Sequence, residues 1–211
     1  RENLEQQWYE FAKVWDPQEL NFELWNITSL YVNTLEQLIE SDSEWNPVYF
    51  QGARYKVLSK YIANQDKYID KIQSSLWYNY SLLEWRQRNM PPFIRRLLVA
   101  RFESSIYAFK STLRTIIASL DMYEEYLKDL WGVPVVKKWS LPDFEDLIEW
   151  DFPESEKTEK IKEMLEAKDW ILIEREDLTS DFETDLTSDR EYLANLLNEW
   201  ESVQEDPKLE H

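Results

Sequence analysis

Apolar side chains recur every three or four positions between Ile94 and Leu130. The stripe runs through Ile94, Leu97/Leu98, Phe102, Ile106, Phe109, Leu113, Ile116/Ile117, Leu120, Leu127 and Leu130. A helix with 3.6 residues per turn keeps such positions on one face, so the spacing predicts one long helix over 93–130. At 1.5 Å per residue this rod would be about 60 Å long. Met90-Pro91-Pro92 precedes it and predicts a corner at 89–92, because proline lacks an N–H and restricts the residue before it. Gly132-Val133-Pro134 follows it, with glycine just past the helix end and proline soon after.

The same period predicts helices elsewhere. Leu4, Trp8, Phe11 and Val14 mark a helix over 2–14. Asp16-Pro17 reads as an N-cap and first helical residue, opening a helix to about Ser41 with Leu20, Leu24, Ile27, Tyr31, Leu35 and Leu38 inward. A loop is expected over 41–52, a short helix over 54–63, and a longer one over 65–88. Beyond 132 the pattern weakens. Short extended pieces are expected over 133–139 and at Ile171-Leu172-Ile173, one or two turns over 143–149, and a helix over 155–168. A last helix should start between Leu178 and Ser188 and run to about Val203.

Only two glycines occur in 211 residues, which argues against a turn-rich β or α/β plan. Eleven Trp, twelve Tyr and nine Phe supply a core that no disordered linker would carry. The fold class that follows is all-α, a mainly antiparallel helical bundle built around one long central helix, with a less regular insertion. Its expected parts are a bundle core at 1–131, an irregular, partly helical insertion at 132–184, and a C-terminal helical segment at 185–211. There is no cysteine, hence no disulfide or thiolate metal site. No apolar run reaches the length of a membrane span and no signal peptide is present, so no membrane contact and a cytoplasmic location are expected.

The net charge of −18 opposes nucleic-acid binding by the chain as a whole. The charge is uneven, however. Arg86, Arg88, Arg95, Arg96, Arg101, Lys110 and Arg114 are interrupted by a single acid, Glu103, whereas acids dominate from Asp143 onward. These seven cations are candidates for nucleic-acid contact, or else partners for acids on neighbouring helices. The single histidine is His211, so neither a catalytic triad nor a histidine metal site is available. The repeat Asp177-Leu178-Thr179-Ser180-Asp181 and Asp185-Leu186-Thr187-Ser188-Asp189 lacks the spacing of a calcium loop and reads as helix capping. Trp8, Trp15 and Trp25 read as core, while Trp85, beside Arg86 and Arg88, stays open as a stacking platform.

Three stretches share an order known elsewhere. They are Ala53-Arg54-Tyr55 leading to Tyr61-Ile62, the run from Arg95 through Arg101-Phe102-Glu103-Ser104-Ser105 to Leu113, and the run from Asp189 to Trp200 followed by Asp206-Pro207-Lys208-Leu209. Together they resemble the helical region between the two RecA-like ATPase lobes of bacterial Swi/Snf-type superfamily-two helicases. Ile62 stands where that pattern has leucine. The resemblance covers roughly 50–130 and 185–210.

It implies that the flanking lobes are the partners, that ATP and magnesium are cofactors of the parent enzyme, and that nucleic acid is met through the parent, with weak or no binding by this chain alone. It also implies that Arg86, Arg88, Arg95, Arg96, Arg101, Lys110 and Arg114 meet nucleic acid or a lobe. Phe102, Glu103, Ser104, Ser105, Ala108 and Phe109 would be packing and registration elements, with none of them catalytic.

This chain has no phosphate loop, no magnesium-holding acidic motif and no arginine finger, so no cofactor, metal site or catalysis of its own is expected. With Arg1 at its start, and Leu209-Glu210-His211 reading as a possible tag remnant, it is expected to be an excised part of a larger enzyme. The alternatives are a stand-alone acidic adaptor for a basic or helical partner, and a dimerisation bundle.

Overall fold

A computed structural model of the chain describes residues 27–39, 49–76, 79–136 and 170–203. The helices expected over 2–14 and 155–168, the Asp16-Pro17 start, the turns at 143–149 and the core positions Trp8, Trp15 and Trp25 lie outside them. The described residues form an all-α bundle with one small sheet. In chain order they are α1 (Thr28–Ile39), a 3-10 turn (Ala53–Tyr55), a π turn (Val57–Tyr61), α2 (Gln65–Leu76), α3 (Tyr80–Ser104) and α4 (Ile106–Asp129). Then come β1 (Gly132–Val136), β2 (Trp170–Glu174), a 3-10 turn (Arg175–Asp177) and α5 (Asp181–Glu201).

The rod expected over 93–130 is two helices. Ser105 is extended (φ −163°, ψ 151°), its N–H closes α3 on the Arg101 carbonyl, and its Oγ accepts from Ala108 N at 3.0 Å to cap α4. One residue therefore ends one helix and starts the next. The helices fold back on each other. Pro91 of α3 meets Gly52, and Tyr123 of α4 meets Arg54. In a continuous helix, residues 91 and 123 would stand about 48 Å apart, beyond the reach of so short a segment. The apolar period concealed the break because Phe102 and Phe109, one on each side, enter the same core with ring centroids 4.8 Å apart.

The corner expected at 89–92 is absent, since α3 runs through Pro91 and Pro92. A helical proline leaves the carbonyl four residues earlier without its usual N–H and costs about 3 kcal/mol in an exposed helix. Here Pro91 is buried against Gly52, so its ring is packed rather than exposed. The helix expected over 65–88 is divided instead. Asn79 caps α3 by accepting from Leu82 N at 3.3 Å.

Gly52 takes a left-handed φ of 66°, and a Cβ there would stand 2.6 Å from Pro91 Cγ. Gly52→Ala is therefore expected to cost more than about 1 kcal/mol, from the left-handed backbone alone. Urea unfolding measures it, and part of the loss should return in the double variant with Pro91→Ala. A neutral Gly52→Ala would contradict this packing.

The helix expected over 54–63 is replaced by the 3-10 and π turns. Tertiary bonds supplant its regular ladder, as Leu58 N donates to Gln87 Oε1 at 2.7 Å and Leu58 O accepts from Tyr80 Oη at 3.1 Å. At the end of α4 the left-handed residue is Trp131 (φ 56°), not Gly132. Gly132 instead lies in β1, where a Cβ would run into the Ile173 carbonyl. The two extended pieces pair antiparallel, Val133 with Ile173 and Val135 with Ile171, and these four side chains are buried. They extend the core rather than leaving it.

Helix α5 lies antiparallel along α4. Arg190 pairs with Asp121 at the middle of α5, and Arg114 with Glu201 at 2.5 Å at its C-terminal end. The bundle closes around Phe102, whose ring lies 4.6 Å from Tyr31, 4.8 Å from Phe109 and 4.9 Å from Trp200. Trp200 is fully buried, and its Nε1–H donates to Thr34 Oγ1 at 2.9 Å, tying α1 to α5. No described helix is long and apolar enough to cross a membrane.

Candidate functional site

The break at Ser105 separates the seven candidate cations into different surroundings. On α3, Leu82, Trp85, Arg86, Asn89, Phe93 and Arg96 fall within an arc of about 100° at 3.6 residues per turn. All six are exposed, Trp85 at 62 %. Arg88 borders this face and pairs with Glu84 at 2.6 Å, one turn away. Arginines among aromatic side chains can hold phosphates while the rings stack on bases, or receive an acidic amphipathic segment. This face is the candidate site.

The other cations lie elsewhere. Arg95 is buried, and its Nη1–H donates to the Phe50 carbonyl at 3.3 Å. Arg101 is half-buried close to the α3–α4 junction. Lys110 donates from Nζ to the carbonyls of Trp200 (3.3 Å) and Val203 (2.9 Å), placing a positive charge at the negative end of α5. Arg114 pairs with Glu201. Lys110 and Arg114 thus secure α5, and the structure does not bring all seven cations onto one face.

The motif residues have local roles. Phe102 and Phe109 are core, Ser105 is the junction and cap, Ala108 supplies the capped N–H, and Glu103 and Ser104 are exposed on the last turn of α3.

The acidic repeat, expected to cap its own helix, bonds to distant segments instead. Ser180, at the start of α5, makes no side-chain cap bond. Asp177 accepts from Lys67 Nζ and Tyr68 Oη, both at 2.6 Å, and Asp185 accepts from Lys60 Nζ and Tyr61 Oη, both at 2.8 Å. The Lys67 and Tyr68 bonds hold the Asp177 carboxyl below its ordinary range. Burial opposes ionisation of Asp185, but the bonds from Lys60 and Tyr61 outweigh it and hold that carboxyl low as well.

Asp189 differs. It is fully buried and accepts from Gln51 N at 2.5 Å and Ala53 N at 2.7 Å, so it caps the 3-10 turn of a distant segment. Burial pushes its pKa up to about 7 against the pull of those N–H groups. The sequence signal for Asp189 was its place in the repeat, but its partners lie more than 130 positions away. Among the described residues no group of three or more His, Cys, Asp or Glu could hold a metal ion. No family model matches the chain, and neither a curated protein nor a solved structure does.

Proposed function

We propose that this chain is the helical region between the ATPase lobes of a Swi/Snf-like helicase or translocase, without catalysis of its own. The observation that supports this reading is the meeting of the three stretches that carry the resemblance. The first and last join where Asp189 caps Ala53, and the second and last join where Phe102 and Phe109 pack on Trp200. Residues far apart in sequence that resemble one family in order thus build one core.

In this reading ATP and magnesium belong to the flanking lobes, whose closure moves a rigid helical body against nucleic acid. The α3 face, with Arg86 and Arg96, is the contact. Arg95 does not serve there, because its guanidinium is committed inside.

The test takes the full gene product. Sequence beyond both ends should contain a phosphate loop upstream and arginine-finger motifs downstream. In that protein Arg86→Glu/Arg96→Glu should lower DNA-stimulated ATPase by about tenfold, roughly the loss of two phosphate contacts, with the rate in the absence of DNA as reference. Unchanged stimulation would remove the α3 face from the mechanism. Flanking sequence without ATPase motifs would overturn the helicase reading itself.

A second reading, an acidic adaptor, is favoured by the exposed Leu82, Trp85 and Phe93 beside arginines. It predicts that Trp85→Ala abolishes capture of an acidic helical peptide by a chain that lacks ATPase lobes.

A further inference from the structure

Arg54 has no counterpart among the other cations. Only 7 % of the residue is exposed, its Nε and Nη1 atoms are sealed from solvent, and neither has a hydrogen-bond partner. The guanidinium lies 4.9 Å from the Tyr55 ring centroid and 5.2 Å from that of Tyr123, and its charge acts on both phenols. Among the described residues no carboxylate pairs with it, in a chain with 42 acidic residues. The two rings attract the charge through their faces. Face contacts leave in-plane N–H groups unfilled, and a buried donor without an acceptor is costly. A bland structural arginine would be expected to snorkel its head to water or to take a carboxylate.

We propose that Arg54 is the centre of an oxyanion site of the phosphate class, bound among Tyr55, Tyr123 and Tyr126. The guanidinium and the phenols offer donors, and the carboxylate that acts on Tyr55, Asp189, is already held by the backbone N–H groups of Gln51 and Ala53. Nε and Nη1 do not share an edge of the guanidinium, so they call for oxygens in more than one direction. A phosphate presents its oxygens tetrahedrally, whereas a carboxylate offers two in one plane. The three phenols are buried and supply further O–H donors. Burial is the main cause that keeps each of them protonated, with the Arg54 charge opposing it at all three. The site lies on the inner side of the 3-10 turn that Asp189 caps, away from the outer face of α3, and it does not depend on the helicase reading.

Thermal unfolding of the full chain in inorganic phosphate tests this, against sodium chloride at equal ionic strength. The chloride control is needed because screening alone relieves the self-repulsion of a chain at −18. Phosphate should raise Tm by several degrees beyond chloride, and Arg54→Lys should lose that increment while keeping the charge. Dimethyl phosphate matching inorganic phosphate would assign the site to a phosphodiester, and inorganic phosphate alone to a free phosphate or monoester.

Should Arg54→Lys not fold, the Arg54 Nε–H resonance of the unmodified chain gives the answer, assigned through its contacts to the Tyr123 ring. It should shift on phosphate addition. Acetate acting as strongly as phosphate, an increment that survives in Arg54→Lys, or no increment and no resonance shift would each overturn the proposal.

Discussion

Replacing Asp189 by alanine is expected to destabilise the fold by about 2–4 kcal/mol at pH 5, from the cost of one buried and one half-buried N–H group left without acceptors. The groups are those of Gln51 and Ala53, and the loss would fall on the segment holding Gly52 and Arg54. The penalty should shrink at pH 8. Burial raises the folded pKa of Asp189 to about 7, above its ordinary 3.8. A raised acid favours the fold most when protonated, so its contribution is full below about pH 4 and is lost as pH rises through about 7.

At pH 8 the wild type carries the ionised carboxylate that alanine does not, and the two proteins draw together in stability. Asp189→Asn should flatten the wild-type decline between pH 4 and pH 7, while its amide still accepts from one of the two N–H groups. Asp177 and Asp185 act with the opposite sign, because their lowered pKa values give stability that is lost below about pH 4. Urea unfolding at pH 5 and pH 8 separates these effects. A difference between wild type and Asp189→Ala that does not change with pH would mean that Asp189 is ionised throughout.

Trp200→Ala should cost about 3–5 kcal/mol, the range for deleting a large buried aromatic side chain. Trp200 is fully buried, meets Phe102 and Phe109 edge-on, and holds Thr34 through its indole N–H. Its removal would loosen α1, α3, α4 and α5 together, because each contributes to that cluster. Trp200→Phe keeps most of the volume and gives up the bond to Thr34, a loss of about 1 kcal/mol. Chemical denaturation of both variants orders the two contributions. A loss below about 1 kcal/mol for the alanine variant would mean that the cluster does not hold these helices.

Periodicity revealed the helices because burial on one face leaves a repeat that can be read locally. It could not reveal the α3–α4 junction. Phe102, Ile106 and Phe109 keep the period, while Ser105 acts through one hydroxyl and one extended residue. Nor did Pro91-Pro92 announce a continuing helix, since its tolerance rests on contact with Gly52, far away in sequence.

The candidate face was partly legible. Arg86, Arg88 and Arg96 stand together with Trp85, as the run of cations suggested. The fates of Arg95, Lys110 and Arg114 depended on the Phe50 carbonyl, the end of α5 and Glu201. Pairing with acids of neighbouring helices was open from the sequence, and Arg114 with Glu201 fits it, but which partner each cation takes is a tertiary fact.

The Lys60-Tyr61 and Lys67-Tyr68 pairs meet Asp185 and Asp177 in reversed order, and together they behave as a vernier. The two dipeptides stand seven positions apart, and the two acids stand eight. Sliding one segment until Lys60-Tyr61 faced Asp177 would carry Asp185 away from both dipeptides. Bringing Asp185 to Lys67-Tyr68 would leave Lys60 and Tyr61 without either acid. Only one alignment engages both clasps. Exposed ion pairs that add little to stability can still make the register of two segments single-valued.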